Sequence, residues 1–413
     1  MESRPFFYRY RHLAALLCLA ACGGFLFGTF RERLATHAPA APPLTLSPSP
    51  APPVPSAGDD LERELGRYRA DLADAETDEQ RTALADRFWD LGMRAHFRDK
   101  GQGRVTVAAL EEAVRLFDHL GDAPKRAECR IVLADAVHLR GNPDRARALW
   151  SEALPDIRAE ADPVRVAAGL SRGGDFCRSM GDYDAARKLL NEALARLGPN
   201  GDRKETAHAL RYLALVESDQ GHYREAESCA RRSLDLLAKL GETETGAAVR
   251  GILGDVYLRL GRFEEADREY RRGLSVWQER KQGYWTAAFL ARRARVAVYR
   301  GDGDTAARLA SESLSLYEMS NGAAQRFQAL DVLGKAAAMR GDAREAVTLH
   351  RDALALRRKT HNPRVIAEGL ESLAASLANL VAASGEAASL RAEAKQLRQA
   401  AGTPVPLADR PAR

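Results

Sequence analysis

The sequence predicts an all-α solenoid of antiparallel helix pairs, and three observations carry that prediction. Glycine recurs at 141, 181, 221, 261, 301 and 341, a spacing of 40 residues without a slip. Alanine stands five residues after each, at Ala146, Ala186, Ala226, Ala266, Ala306 and Ala346. Apolar residues on both sides of each glycine recur at three- and four-residue intervals, the period of a helix and not of a strand. Self-similarity at a fixed period of roughly 20–50 residues marks an array of stacked units rather than a domain with one core.

Taken in order along the chain, residues 1–12 are a basic segment and residues 13–30, "LAALLCLAACGGFLFGTF", are uncharged and apolar. As a signal anchor this stretch rises about 27 Å as a helix, enough to cross a hydrocarbon core. As a lipoprotein signal, Leu19-Ala20-Ala21-Cys22 resembles a bacterial lipobox, with Cys22 the lipidated residue; the two readings stay open. Both keep the N-terminus inside, because Arg4, Arg9 and Arg11 outweigh Arg31 and Arg33. The repeat domain is then expected to be membrane-anchored on the exported side, periplasmic or extracellular. Residues 31–60 are a Pro/Ala/Ser-rich linker that acts as a semi-rigid stalk. The helical repeats are expected over 61–400, and 401–413 as a disordered tail.

Composition narrows the partner. Of 413 residues, 62 are basic and 57 acidic, for a net charge of +5, and residues 1–37 hold five arginines against Glu2 and Glu32. What remains is a mixed surface with no basic stripe, so nucleic acid is not expected as a partner. Cys129, Cys177 and Cys229 match no zinc spacing and are read as small core thiols.

One unit shows how the pattern works. Residues 245–260 place Val249, Ile252, Leu253, Val256, Tyr257 and Leu260 on one face of a helix. Gly261 ends it, being tolerant of the positive φ that a helix C-terminus often adopts. A second helix, from 263 to about 278, turns Ala266, Tyr270, Leu274 and Trp277 inward. The methyl group of Ala266 lets the two helices lie close, since interaxial distance follows the size of the contacting side chains. Before the glycine stand Leu133, Leu213, Leu253 or Leu333, each followed by alanine or glycine; nine after it stand Trp150, Leu190 and Tyr270.

Residues 253–274, "LGDVYLRLGRFEEADREYRRGL", resemble the tetratricopeptide repeat family at Leu253, Gly254, Tyr257, Gly261, Ala266 and Tyr270. The 40-residue unit is similar to the kinesin-light-chain-like subclass. The resemblance covers about 100–400: six units, a degenerate one at 108–122, and a terminal capping helix at 385–397. Gly173-Gly174, Glu217 and Arg293 depart from the family pattern. The resemblance implies a right-handed superhelix whose concave channel, lined by first helices, binds a protein or peptide partner.

Chemistry is sparse. There is no His-Glu-x-x-His, no Gly-x-Ser-x-Gly and no phosphate loop, so neither catalysis nor a cofactor or metal is expected. His350 falls in the slot of Trp150 and Tyr270 and is read as a packed residue. In the family frame, the residue six before each glycine faces the channel: Asp135, Asp175, Leu215, Asp255, Arg295 and Lys335. Asp135, Asp175 and Asp255 are expected to form an acidic wall, with Arg295 and Lys335 reversing its sign; His138, His208 and Arg211 join the candidate lining. Early acidic residues there disfavour a carboxylate clamp for a peptide C-terminus. The expected function is a membrane-tethered adaptor. The alternative is the sensing subunit of a caspase-like peptidase system of the CHAT type.

Overall fold

In a computed structural model, residues 57–406 are described, apart from short breaks at 100–102, 242, 321–322, 379 and 381–383. The segments 1–12 and 13–30, Cys22 and most of the linker lie outside the described residues. Among those described there are seventeen α-helices and no strand. They are α1 (Ala57–Ala73), α2 (Asp78–Asp99), α3 (Arg104–His119), α4 (Ala123–Leu139), α5 (Pro143–Ala159) and α6 (Pro163–Ser179). Next come α7 (Tyr183–Leu197), α8 (Arg203–Asp219), α9 (Tyr223–Lys239), α10 (Thr243–Arg259), α11 (Phe263–Glu279) and α12 (Gly283–Tyr299). The last are α13 (Gly303–Met319), a short 3-10 turn (Ala323–Arg326), α14 (Phe327–Arg340), α15 (Ala343–Arg358), α16 (Pro363–Leu377) and α17 (Ser384–Ala401).

From α2 onward the helices form eight pairs. Each helix packs chiefly on its neighbours in sequence, and from α4 onward each first helix also touches the first helix of the next unit. First helices therefore lie on the inside of the curve, and second helices form its outer layer. None of the described helices is long and apolar enough to cross a membrane.

The turn within each unit follows from its glycine. At Gly261, φ is +78°; the Gly261 N–H donates to the Leu258 carbonyl and the Arg262 N–H to that of Tyr257. This pairing satisfies carbonyls that the helix end would leave bare. The same two bonds recur at Gly141, Gly181, Gly221, Gly301 and Gly341. N-caps start the helices on the far side. Asp122, Asn142, Asp182 and Asp302 each accept from the backbone N–H three residues on, at 3.0–3.1 Å.

The alanine column lies where expected: all six alanines are fully buried. A second size rule accompanies it, between the residue seven before the glycine and the residue nine after. Gly254 leaves room for Tyr270, Gly174 for Leu190 and Gly334 for His350, and a Cβ on any of the three would overlap that side chain. Where both are alanine, as in Ala214 and Ala230, the fit is made by two small groups. His350 is 2% exposed, its Nδ1 2.8 Å from the Ser376 hydroxyl and its Nε2 3.1 Å from the Asp331 carbonyl.

Three expectations change. The degenerate stretch 108–122 covers most of α3 and the link to α4; α2, which ends just before Gly101, 40 residues ahead of Gly141, completes its pair. Residues 385–397 belong to α17, the second helix of a full eighth pair rather than a lone cap. Of the expected disordered tail, residues 401–406 are described and packed: Thr403 is buried and Arg398 Nη1 donates to the Pro404 carbonyl at 3.1 Å.

Candidate functional site

The inner face is built by α4, α6, α8, α10, α12 and α14, and it is electrostatically uneven. In the later units its charges answer one another. Asp255 accepts from the Tyr270 hydroxyl at 2.8 Å, from Arg292 at 3.1 Å and from Arg295 at 2.9 Å. Burial alone would raise its pKa, but Arg292 and Arg295 hold it below the usual carboxylate range. Lys335 lies 3.1 Å from Asp331, which also faces Arg357 at 3.6 Å. Despite its burial, Asp331 is kept well below the ordinary range by Lys335, Arg357 and His350.

The early units differ. Asp135, on α4, has no hydrogen bond or ion pair among the described residues, and its side chain is exposed. Crowding by the wall, and secondarily the Asp175 carboxylate, push it up to about 7 against the pull of Arg172. Water at the side chain tempers that shift. His138 Nδ1, on the same helix, and Arg211 Nε, on α8, are shielded from solvent without a hydrogen-bond partner. The Arg211 guanidinium stacks 4.0 Å from the centre of the Tyr212 ring. Burial, then the nearby His361, lowers the pKa of His138.

The expected acidic wall of three open carboxylates is not what the fold builds. Asp175 is held by Arg178 at 2.9 Å, and Asp255 by Arg292 and Arg295. Asp135 alone of the three is left open. Likewise Arg295 and Lys335 do not present free positive charge at the far end, because each already has a carboxylate. The register argument placed these residues on one face; it could not see partners 37 or 40 positions away.

The departures from the repeat pattern are compensated locally. Glu217, in place of an aromatic, is buried and accepts from Arg187 Nε at 2.7 Å, with His222 Nδ1 also 2.7 Å away. Arg293, in place of leucine, donates to Asp267 at 3.0 Å. Gly173 gives space to the Trp150 ring.

With this geometry in view, the family models are decisive: tetratricopeptide repeat models match residues 165–239, 247–276 and 327–364. Those three stretches are tetratricopeptide repeats. Among solved structures, it is similar to a Rap protein complexed with Competence and Sporulation Factor, at 15% identity and a TM-score of 0.55. That match covers 83% of this chain and 87% of the other. Aspartyl phosphate phosphatase F from Bacillus subtilis matches at 11% identity and a TM-score of 0.55, over 88% and 100% of the two chains. A STAND ATPase with a tetratricopeptide repeat sensor from Pyrococcus horikoshii matches at 16% identity and a TM-score of 0.49, over 83% of this chain. The chain spans 55% of the length of that ATPase. At such identities the two likenesses with a TM-score of 0.55 speak for the fold alone. Compared by sequence with curated proteins, the chain matches none.

One set of residues escaped the repeat frame entirely. Arg178 lies 3.2 Å from Asp219, and Arg364, on α16, lies 3.1 Å from the same carboxylate. Glu368 lies 3.7 Å from Arg259 and also pairs with Arg364. These groups join the eighth tetratricopeptide pair to the ends of α6, α8 and α10. Periodicity gives no signal for such a contact, since it links residues far from a whole number of units apart.

Proposed function

We propose that the chain is an adaptor that binds a protein or peptide partner along the inner face of its tetratricopeptide array, without catalysis of its own. The observation that carries this reading is the contrast along that face. Charges of the later units are consumed within the fold, whereas α4 and α8 keep Asp135, His138 Nδ1 and Arg211 Nε without hydrogen-bond partners. Polar atoms shielded from water usually find partners, so a ligand with polar groups for His138 Nδ1 and Arg211 Nε completes them, and a cation on the same ligand pairs with the exposed Asp135 carboxylate. Each exposed contact is worth about 0–1 kcal/mol, so selectivity requires several acting together. The Rap protein carrying Competence and Sporulation Factor shows an array of this fold with a bound ligand.

In the same reading, residues 13–30 fix the chain to a membrane and the Pro-rich segment holds the repeats off it on the exported side. The supporting feature is the sequence itself, an uncharged apolar stretch behind Arg4, Arg9 and Arg11. Affinity capture from solubilised membranes with the full chain, followed by mass spectrometry, tests the adaptor role. A partner retained by the native chain and lost with Asp135→Asn plus Arg211→Gln supports it. Retention of every captured protein by that variant contradicts it. A peptidase among the captured proteins would favour the sensing-subunit alternative.

A further inference from the structure

The turn glycines are equivalent in the repeat but not in their surroundings. A Cβ placed on Gly261, Gly301 or Gly341 would meet nothing within 4 Å. The corresponding positions at Gly141, Gly181 and Gly221 are covered by His361, Pro363 and Pro404 respectively. The end of the array has thus come round onto the turns of its early units. Asn362, 5% exposed, is the centre of this contact. Its Oδ1 accepts from the Arg364 and Val365 N–H groups at 3.0 and 3.2 Å, capping α16. Its Nδ2 donates to the Arg178 and Ser179 carbonyls at 3.3 and 3.2 Å, 184 and 183 residues away. The Arg364–Asp219 and Glu368–Arg259 pairs lie beside it, and the His361 and His138 rings stand 6.2 Å apart.

We propose that residues 361–368, with Pro404, are a latch that holds the eighth pair against the turns of the early units, and that its release opens the rim of the inner face. Two features make the contact separable from the fold. A solenoid unit draws its stability from its sequence neighbours, so no helix pair depends on a partner 184 residues distant. The latch is also mostly polar. The apolar cluster of the last units, around Leu354, Leu370 and Leu373, is separate from the cluster of Tyr183, Leu190 and Leu213, to which Ala401 alone of the C-terminal unit adds a contact. Opening it trades buried ion pairs and the two hydrogen bonds of the Asn362 amide for hydration, an exchange that runs close to balance, whereas parting a shared apolar core does not. Regions with few buried apolar contacts are the ones that open locally.

His361, at the start of the latch, has φ +52° in the turn that ends α15, its N–H donating to the Arg358 carbonyl at 3.4 Å. The latch does not depend on which partner the array binds.

Amide hydrogen exchange on the full chain tests it. In the native protein the six turns share the same backbone bonds, so those at 141, 181 and 221 should exchange at least about tenfold more slowly than those at 261, 301 and 341 if the latch covers them. Asn362→Asp keeps the cap but removes the donor and sets a carboxylate against two carbonyls; Arg364→Ala removes the cation from Asp219. In each single variant and in the double variant, the three covered turns should exchange as fast as the open ones. The radius of gyration should rise and the helical circular dichroism should stay unchanged. Equal protection of all six turns in the native chain overturns the proposal. So does melting of α16 and α17 in the mild Asn362→Asp variant, which would make the contact part of the fold.

Discussion

At position 266, zero exposure and a methyl side chain decide how close two helices lie, and five other alanines repeat the arrangement. This feature was legible in the sequence because a steric limit acts at the same place in every unit. Ala266→Leu should destabilise the array by about 1–3 kcal/mol through overpacking; a thermal melt of the repeat region with an unchanged midpoint would place the column away from a helix contact. Asp135 was legible as an inner-face residue, but its isolation was not. That isolation depends on Asp175 and Asp255 being taken up by Arg178, Arg292 and Arg295, through side-chain geometry no register argument contains. Its raised pKa, tempered by water at the side chain, sets the direction of a pH effect on stability. An acid whose folded pKa lies above the unfolded value costs stability when ionised, and the cost fades as pH falls below the unfolded pKa. Asp135→Asn should therefore raise the melting temperature at about pH 8 and leave it nearly unchanged at about pH 3.5. An equal shift at both values would mean that charge is not the cause.

Between residues and the whole lie the helices and their turns, and here the sequence was read most fully. The glycine period placed the turns from 141 to 341, and one residue later Asn142, Asp182 and Asp302 cap the helices that follow three of them. What escaped were α2, although Gly101 behind it stands 40 residues ahead of Gly141, and α16, which opens after His361 and Asn362. The link between α11 and α12 shows the same turn without its usual residue. Lys281 has φ +53°, and its N–H and that of Gln282 donate to Gln278 and Trp277. A side chain in the left-handed region costs about 1–2 kcal/mol that glycine avoids. Lys281→Gly should therefore stabilise the array by up to about 1 kcal/mol, after the entropy that glycine loses on folding is subtracted. Chemical denaturation would show a higher midpoint with the same slope, and a lower midpoint would show that the lysine side chain contributes more than its backbone costs.

Over the whole array, one-dimensional stacking explains both what was predicted and what was not. Nearest-neighbour packing repeats, so the solenoid could be read from a period; the return of α16 onto α6 and α8 does not repeat, so it could not. The same closure bounds the inner face and sets the early units, with Asp135 and Arg211, apart from the self-paired later ones. Recognition along that inner face is the central claim. The most direct measurement is a hydrogen-exchange map of the full chain with and without a partner recovered from membranes. The account predicts new protection on α4, α6 and α8, with the outer helices α5, α7 and α9 unchanged. Protection confined to the outer helices, or to residues ahead of α1, would contradict it.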